Sequence, residues 1–441
     1  MLMKTFLIIW MGQLVSRIGT AMTRFALIIW AYQQTGTATT VALLGFATFV
    51  PMLIASPFAG VWVDRLDRRR VMQLSDLGAG SITTSLLVLY TTGNLELWYL
   101  YLAAGLAGIF ETFQIPAYTA ASSVLLPKKA YARASGLRSL AEFGGEVAAP
   151  ILGGLLLTVS GLGTVMIFDV ATFLVALATL AAVRVPAPSA VPNEPEATAS
   201  FRRELRVGFR YIWRRPGLLG FALLMTAVNL FANLTWFSIL PAMVLARSGN
   251  NELALASVQS AMGVGGLLGA ILIGLWGGPR NRVHGMLLGI IASFVVGDMV
   301  LAVGRTAPMW MIAAGSGAFF IPLIRSAYEA IWQSKVNPAL QGRVFSSRDM
   351  MTRSTAPAGY LLGGLLADHV MEPALAAGGP LAPTLGRLVG TGPGAGMALM
   401  FLLSAICAIA LSLGAYLVPA VRRVDYDLPD HDLVQAGTPL A

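Results

Sequence analysis

The sequence predicts an all-α integral membrane protein with twelve transmembrane helices, arranged as two parallel, pseudo-symmetric six-helix bundles. Three observations lead to this prediction. The 441 residues are 56% hydrophobic and only 12% charged, with a mean hydropathy of +0.72, whereas soluble domains carry about 25% charged residues. The apolar residues form twelve long segments, and a repeat relates the two halves of the chain. Such features are typical of transporters that bind a small molecule between two bundles.

The repeat covers residues 133–156, which recur 210 positions later as residues 343–366. Arg138 corresponds to Arg348 at this offset, and both stretches contain the run Gly-Gly-Leu-Leu. Because every match falls at one offset, close to half of the chain length, a duplication of one bundle explains it. The two bundles are therefore expected to run in parallel.

The twelve apolar segments justify the individual helices. Each is about 20 to 28 residues long, and about 20 helical residues are enough to cross the ~30 Å hydrocarbon layer. Six precede and six follow a polar break near residue 200. The segments lie near 5–33, 40–63, 71–92, 97–125, 135–159, 164–183, 218–246, 253–276, 284–304, 308–334, 345–367 and 396–419.

The distribution of positive charge predicts the orientation of these helices. The net charge is +9. If the amino terminus is inside, the even-numbered connections and both tails hold 21 of the 30 Lys and Arg residues, and the odd-numbered connections hold three. The positive-inside rule then places both termini in the cytoplasm. The basic charge is a topology signal and does not indicate a nucleic-acid partner. We expect a multi-pass protein of the inner or plasma membrane, in contact with the lipid bilayer.

The polar break and the tail complete the predicted organisation. In the break, Phe201, Leu205, Phe209 and Ile212 recur at helical spacing, with arginines on the opposite face. This pattern predicts a basic amphipathic helix on the anionic inner leaflet; a solvated basic linker is the alternative. The predicted parts are a six-helix bundle over 1–184, a cytoplasmic linker over 185–216, a second bundle over 217–421 and a cytoplasmic tail over 422–441.

No part of the sequence indicates an enzyme or a cofactor. The glycine-rich run at 390–396 resembles a nucleotide loop, but no Lys-Ser/Thr pair follows it. The single cysteine, Cys407, allows no internal disulfide and suits no metal site. We therefore expect transport that uses neither ATP nor a bound metal.

A motif between the second and third segments links the chain to a known family. The stretch GVWVDRLDRRR resembles the cytoplasmic loop GxxxDRxGRR of the major facilitator superfamily, with Asp67 where glycine is usual. The resemblance implies that Asp64 meets the start of helix 11 when the cytoplasmic side is closed. A basic loop that only sets orientation is the alternative. The cytoplasmic gate predicted in this way comprises Gly60, Asp64, Arg65, Arg68, Arg69, Arg343 and Arg348.

A second motif lies in the fifth segment and resembles the antiporter pattern of the same superfamily. Small residues allow helices to approach closely in lipid, and a proline lets the helix bend. We expect close packing against a helix from the second half; a simple packing motif is the alternative. Three stretches before residue 185, GQLVSRIGTAMTRFALIIW, TGTAT and PFAGVWVDRLDRRR, resemble the proton-driven drug exporter branch that includes macrolide efflux proteins and the enterobactin exporter. The motif comprises Gly136, Gly145, Ala149, Pro150, Gly153 and Gly154, with Ala149 where glycine is usual.

Ionisable residues inside the bilayer are the candidates for proton coupling, because each costs at least about 2.5 kcal/mol there unless it is paired or hydrated. Counting 1.5 Å per residue places Arg17, Glu111 and Glu146 near the midplane. The resemblance implies that helices 1, 4, 7 and 10 line the cavity, so Arg17 and Glu111 face it. A carboxylate beside an arginine can carry a proton between states; a permanent ion pair is the alternative. Glu142 is the next candidate.

Further polar residues suggest an outer gate and a substrate cavity. Arg24 and Asp169 lie at similar depth and are a candidate outer pair, or two separate solvated groups. Arg325 and Glu329 share a face of helix 10 and are assigned to the substrate cavity, where they form an inner-gate salt bridge or only a local pair. On helix 7 we assign Asn229, Asn233 and Trp236 to the cavity, with packing as the alternative. Asp298 is expected to be a buried, hydrogen-bonded group.

These patterns predict a secondary exporter that moves an amphiphilic small molecule, such as a drug, a macrolide-like compound or a siderophore. The expected mechanism is proton antiport by alternating access in a monomer. Two alternatives remain open at this level: a proton-coupled symporter or importer of the same fold, and a membrane sensor or scaffold that transports nothing.

Overall fold

A computed structural model describes residues 2–125, 131–183 and 201–431, and the regular structure of these ranges is helical, without a strand. The fold class is therefore confirmed as all-α. Two π-helical segments, Phe294–Met299 and Ala367–Met371, interrupt the α-helices. The α-helices are α1 Leu2–Thr35, α2 Ala38–Arg65, α3 Arg68–Thr91, α4 Leu97–Leu125, α5 Tyr131–Ala182, α6 Phe201–Trp213, α7 Pro216–Thr235, α8 Leu240–Ser248, α9 Glu252–Trp276, α10 Arg282–Ser293, α11 Val300–Val303, α12 Ala307–Phe319, α13 Ile321–Lys335, α14 Pro338–Arg353, α15 Ala356–Leu366, α16 Glu372–Leu375, α17 Gly386–Val389, α18 Ala395–Leu417, α19 Pro419–Arg422 and α20 Val424–Asp427.

Within the described residues, nine stretches are long and apolar enough to cross a membrane, compared with the twelve segments expected. The fifth and sixth predicted segments are two helical parts of α5 that meet at Gly161, whose φ of +79° and ψ of 174° are not helical. The third segment (α3) and the eleventh, split between α14 and α15, are not among the nine. Twelve helices therefore remain a prediction. The nine stretches are Thr5–Thr35, Ala38–Ser56, Leu97–Ala121, Gly144–Ala182, Pro216–Ser248, Glu252–Trp276, Arg282–Val303, Ala307–Lys335 and Ala395–Leu417.

The chain divides into two compact units. Unit 1 comprises Met1–Pro192 and Ser238–Gly263, and unit 2 comprises Asn193–Phe237 and Val264–Ala441. Unit 1 thus takes α8 and the first half of α9 from the second half of the sequence. This division crosses the expected bundle boundary near residue 217.

Small residues bring the helices of unit 1 together. A Cβ added to Gly108 of α4 would collide with the backbone carbonyl of Thr48 in α2. One on Gly80 of α3 would lie about 2.5 Å from the ring of Phe173 in α5. Because both positions lack a side chain, the helix backbones can approach closely without a polar attraction, as is typical of membrane helices.

Unit 2 uses the same principle around a core of fully buried aromatic side chains that includes Trp332 and Phe221. A Cβ on Gly297, in the first π-helical segment, would lie 3.0 Å from the Cα of Gly317 in α12. The amphipathic helix α6 also belongs to this unit. Its Gly208 is buried against α14, and Ser347 Oγ donates to the Leu205 carbonyl at 3.2 Å. The apolar face of α6 is therefore in contact with protein, whereas the expected contact was with lipid.

Candidate functional site

An ion pair between α1 and α4 is the central feature of the site in unit 1. Arg24 Nη2 lies 3.1 Å from Glu111 Oε2, and the two side chains are 52% and 35% exposed. Glu111 lies in the middle of α4, so this pair lies within a span rather than at a helix end. The expected arginine–carboxylate pair exists, but its arginine is Arg24 and not Arg17. Arg17 is exposed and makes no ion pair with another described side chain.

Arg24 acts on Asp169 electrostatically but forms its ion pair with Glu111, so the predicted outer pair of Arg24 and Asp169 stays a prediction. Asp169 is 2% exposed and accepts hydrogen bonds from Thr20 at 3.0 Å and from Thr83 at 2.9 Å. Its carboxylate is thus bound by hydroxyl groups of α1 and α3. Hydroxyl groups thus supply hydrogen bonds to this buried carboxylate, and Arg24 forms its ion pair with Glu111.

The remaining proton-coupling candidates lie on α5. Glu146 is exposed on this helix, and Arg24 forms its ion pair with Glu111. The side chain of Glu142 lies outside the described residues. The role of both glutamates in proton coupling stays a prediction.

A polar cluster that sequence analysis missed lies between α1, α3 and α4. Asp76 is 3% exposed, and its two carboxylate oxygens accept bonds from Gln13 Nε2 at 2.8 Å and from Gln114 Nε2 at 2.5 Å. Gln114 Nε2 also lies 2.8 Å from Gln13 Oε1. A charged residue inside an apolar segment is the signal that could have identified Asp76. Because α3 contains several other polar residues, this signal was weak.

The antiporter motif packs closely at its second half. A Cβ on Gly154 would lie 2.8 Å from Ala256 Cβ of α9, and Ser260 Oγ of α9 donates to the Val147 carbonyl at 2.8 Å. Ala149 and Pro150 are buried. The predicted approach of a helix from the second half of the sequence is therefore present, within unit 1.

The other glycines of the motif differ from this pattern. Gly153 approaches α1, because its Cβ would lie 3.3 Å from Met22 Cα. Gly136 and Gly145 have no described atom within 4 Å of an added Cβ. Close packing thus explains Gly153 and Gly154 but not the first two glycines.

Glu252, at the start of α9, strengthens the same contact. Its two oxygens accept from Gln33 Nε2 at 3.1 Å and from Thr158 Oγ1 at 3.0 Å. One carboxylate thereby joins the end of α1 and the start of α9 to α5 just before Gly161. Like the contact between Gly154 and Ala256, this junction lies within unit 1.

The loop between α2 and α3 is described in part. Asp67, which stands where the family motif has glycine, caps α3 by accepting the backbone N–H of Arg69 at 2.9 Å. Arg69 donates to the carbonyls of Leu180 and Ala181, and Arg68 donates to a carbonyl of α4. The surroundings of Gly60 and the side chains of Asp64 and Arg65 are not among the described parts of the chain.

A second ion cluster lies in unit 2 and changes the prediction for Glu329. Glu329 binds Arg348 through two bonds of 2.9 Å, and not Arg325 of its own helix. Arg348 also pairs with Asp349 at 2.8 Å, and its side chain is 5% exposed. Arg325 and Arg343 are exposed. Arg348, which was expected at the gate, is therefore buried among carboxylates of unit 2.

The cavity residues predicted on α7 have partners within unit 2. Trp236 Nε1 lies 3.0 Å from both carboxylate oxygens of Asp298, which is 2% exposed. Asn233 donates to the Asn229 carbonyl at 2.6 Å, and Asn229 donates to the carbonyl of Thr352 at 3.2 Å. The buried, hydrogen-bonded state of Asp298 is confirmed. For the three α7 residues, these contacts favour the packing alternative.

The end of α13 holds another cluster that the sequence did not reveal. Lys335 is 3% exposed at its side chain and pairs with Asp430 at 2.8 Å and with Asp425 at 3.6 Å. Tyr211 of α6 donates its hydroxyl to the Lys335 carbonyl at 3.1 Å, and burial raises the pKa of Tyr211 while Arg215 opposes this shift. The segment after α18 is thereby attached to unit 2.

Comparison with known proteins agrees with this architecture. The profile of the Major Facilitator Superfamily matches residues 9–360. Macrolide efflux protein A of Streptococcus pyogenes is 26% identical over 379 residues, which cover 83% of this chain and 90% of the relative. The multidrug efflux pump Tap of Mycolicibacterium fortuitum is 26% identical over 371 residues, which cover 82% and 89%.

A solved structure shares the fold. The bacterial homologue of the human lysosomal transporter Spinster, in an inward-facing and unoccupied conformation, superposes with a TM-score of 0.66 at 17% identity. The match covers 97% of this chain and 99% of that one. The family profile covers most of the chain, and the relatives and the structural neighbour are transporters rather than enzymes. This chain belongs to the Major Facilitator Superfamily.

Proposed function

We propose that this transporter exports an amphiphilic small molecule in exchange for protons, by alternating access. The two relatives described above are named for the efflux of macrolides and of several drugs, and they support both the direction and the substrate class. The protein acts as a monomer in the inner or plasma membrane, with both termini in the cytoplasm. The positive charge in the even-numbered connections supports this orientation.

The ion pair between Arg24 and Glu111 carries the proposal. Both side chains are partly exposed, so a proton and a substrate can reach them. A proton on Glu111 removes its negative charge, and the ion pair becomes a weaker bond between a neutral acid and a cation. The link between α1 and α4 then loosens, and Arg24 is left without its counter-ion.

Antiport follows if the two occupants of the site exclude one another. A substrate that requires Glu111 ionised binds after the proton has left, and a returning proton displaces the substrate. The energy of the proton gradient then drives export of the substrate, because the proton and the substrate each favour a different conformation of the transporter. Glu146 and Glu142 are the next carriers if Glu111 is not used.

The gate of the proposed cycle is on the cytoplasmic side. In this proposal Asp64, Arg65 and Arg343 are the charged residues of that gate. Asp67 supports the gate by capping α3, and Arg68 and Arg69 fasten the loop to backbone carbonyls. Exposed Arg325 on α13 contributes the polar part of the substrate cavity.

Transport into membrane vesicles of both orientations tests the proposal, with a radiolabelled macrolide as the probe. Everted vesicles with an acidic interior should accumulate the macrolide in exchange for protons. Glu111→Gln should abolish this accumulation, whereas Glu96→Gln, in the exposed connection before α4, should not. Accumulation in right-side-out vesicles under an inward proton gradient would indicate a symporter. Macrolide binding without transport in either orientation would indicate a sensor.

A further inference from the structure

Asp76 is a buried carboxylate whose described partners are neutral. Its side chain lies between α1, α3 and α4, 3% exposed, and both oxygens accept amide N–H groups, one from Gln13 and one from Gln114. A buried ionised carboxylate without a cation is unfavourable, because neutral donors replace only part of the lost hydration. The site in its charged form is therefore incomplete, and a cation or a proton would complete it.

Asp76 forms no ion pair with a described charged group of the neighbouring helices. Arg24 of α1 binds Glu111 of α4, and Asp169 of α5 binds hydroxyl groups. Arg17 is exposed one turn from Gln13, and Glu146 is exposed on α5. The arginines at the start of α3 are nearer the cytoplasmic end, where Arg68 and Arg69 bind carbonyls. The side chains of Asp64, Arg65, Arg138 and Glu142 lie outside the described residues.

We propose that Asp76 is a second proton-binding site of unit 1, in which Gln13 and Gln114 take the place of a counter-ion. A glutamine amide has both a donor and an acceptor end. It donates its N–H groups to the carboxylate, and after rotation of the amide its oxygen accepts the proton of the carboxylic acid. Both protonation states of Asp76 are therefore hydrogen-bonded, and the cluster needs no cation.

The position of the cluster connects it to the first site. Glu111 and Gln114 are three residues apart on one face of α4, about 4.5 Å along its axis. On α1, Gln13, Arg17 and Arg24 follow at spacings of four and seven residues and share a face. A continuous polar face thus leads from the pair of Arg24 and Glu111 to Asp76. This inference rests on the proposed proton coupling and implies one additional proton in each cycle.

Infrared spectroscopy tests the protonation of Asp76 without any assumption about transport. A carboxylic acid has a carbonyl band that a carboxylate lacks, and labelling with ¹³C-carboxyl aspartate assigns the band to aspartate. The full-length protein in lipid vesicles is compared at acidic and alkaline pH. Asp76→Asn should remove one component of the slowly exchanging aspartic acid band. Asp427→Asn, at an exposed position after α18, should leave that component unchanged. An unchanged band in a folded Asp76→Asn protein would overturn the proposal.

Two further measurements extend the test, and the first covers the case in which Asp76→Asn does not fold. Gln114→Met keeps the carboxylate but removes its amide partner, so it should shift the frequency of the same component; an unshifted band would overturn the proposal. In vesicles that transport a radiolabelled macrolide, the wild type should move one more proton per macrolide than Asp76→Asn, and equal ratios would contradict a second site. If macrolide moved without protons in the wild type, proton-coupled export would be refuted, while the infrared band would still decide the protonation of Asp76.

Discussion

Replacement of the carboxylates around Arg348 should reveal how much this buried cation contributes to the stability of unit 2. Glu329 binds the guanidinium through two bonds of 2.9 Å, and Asp349 binds it at 2.8 Å. The side chain of Arg348 is 5% exposed, that of Glu329 is 35% exposed and that of Asp349 is 49% exposed. The two carboxylates therefore differ mainly in their contact with solvent and in their geometry.

The magnitudes follow from this difference. Glu329→Gln removes a bidentate, charge-assisted contact and should lower the free energy of unfolding by about 1–2 kcal/mol, the lower part of the usual range because water screens part of the pair. Asp349→Asn removes a more exposed partner and should cost about 0.2–1 kcal/mol. The double variant leaves Arg348 buried without a counter-charge and should cost about 3–5 kcal/mol. The double effect should therefore exceed the sum of the single effects.

Reversible unfolding in mixed micelles measures these differences. Arg325→Gln is the matched control, because Arg325 lies on the same helix, is exposed and makes no ion pair with a described side chain. Arg325→Gln should leave the free energy of unfolding close to the wild-type value. Equal losses from Glu329→Gln and Asp349→Asn, or a double variant whose effects simply add, would show that Arg348 does not depend on these carboxylates.

Three other predictions concern packing, the carboxyl-terminal segment and the gate. Gly154→Leu should reduce transport and cost about 1–3 kcal/mol of stability, because a Cβ alone would lie 2.8 Å from Ala256; unchanged transport and melting temperature would contradict the close contact. Lys335→Met should accelerate limited proteolysis after α18, because the buried ammonium that holds this segment is lost, and an unchanged cleavage rate would refute its role. In a Cys407→Ser background, Asp64→Asn should raise thiol labelling of a cysteine at position 325; loss of transport with unchanged labelling would assign Asp64 to folding.

The fold and the antiporter motif were accessible from sequence because their signals are local. Hydropathy identifies a helix whatever its neighbours are, and the small residues at Gly153 and Gly154 indicate close packing in any membrane bundle. The number of membrane-spanning helices depends on weaker signals. The turn between the fifth and sixth segments depends on Gly161 alone, and the polar residues of α3 lower its mean hydropathy.

The pairing of charges was not accessible from sequence, because counting residues along each helix does not give the axial offset between two packed helices. Arg17 and Arg24 lie seven residues, or ~10.5 Å, apart on one face of α1, and counting alone favoured Arg17 as the partner of Glu111. The structure instead pairs Glu111 with Arg24. The bonds of Asp76 and Lys335 join distant parts of the chain. Such contacts depend on how helices pack, which no local pattern encodes.

Proton-driven exchange in purified proteoliposomes is the most direct test of the role of Glu111. A pH gradient is imposed, and entry of a radiolabelled macrolide and movement of protons are recorded together. The wild type should accumulate the macrolide against its gradient while protons move in the opposite direction. Glu111→Gln should lose both movements but retain exchange of labelled for unlabelled macrolide at equal pH, because the amide keeps the shape of the side chain and cannot carry a proton. Full proton-driven accumulation in Glu111→Gln would contradict the assignment of Glu111 as the proton carrier.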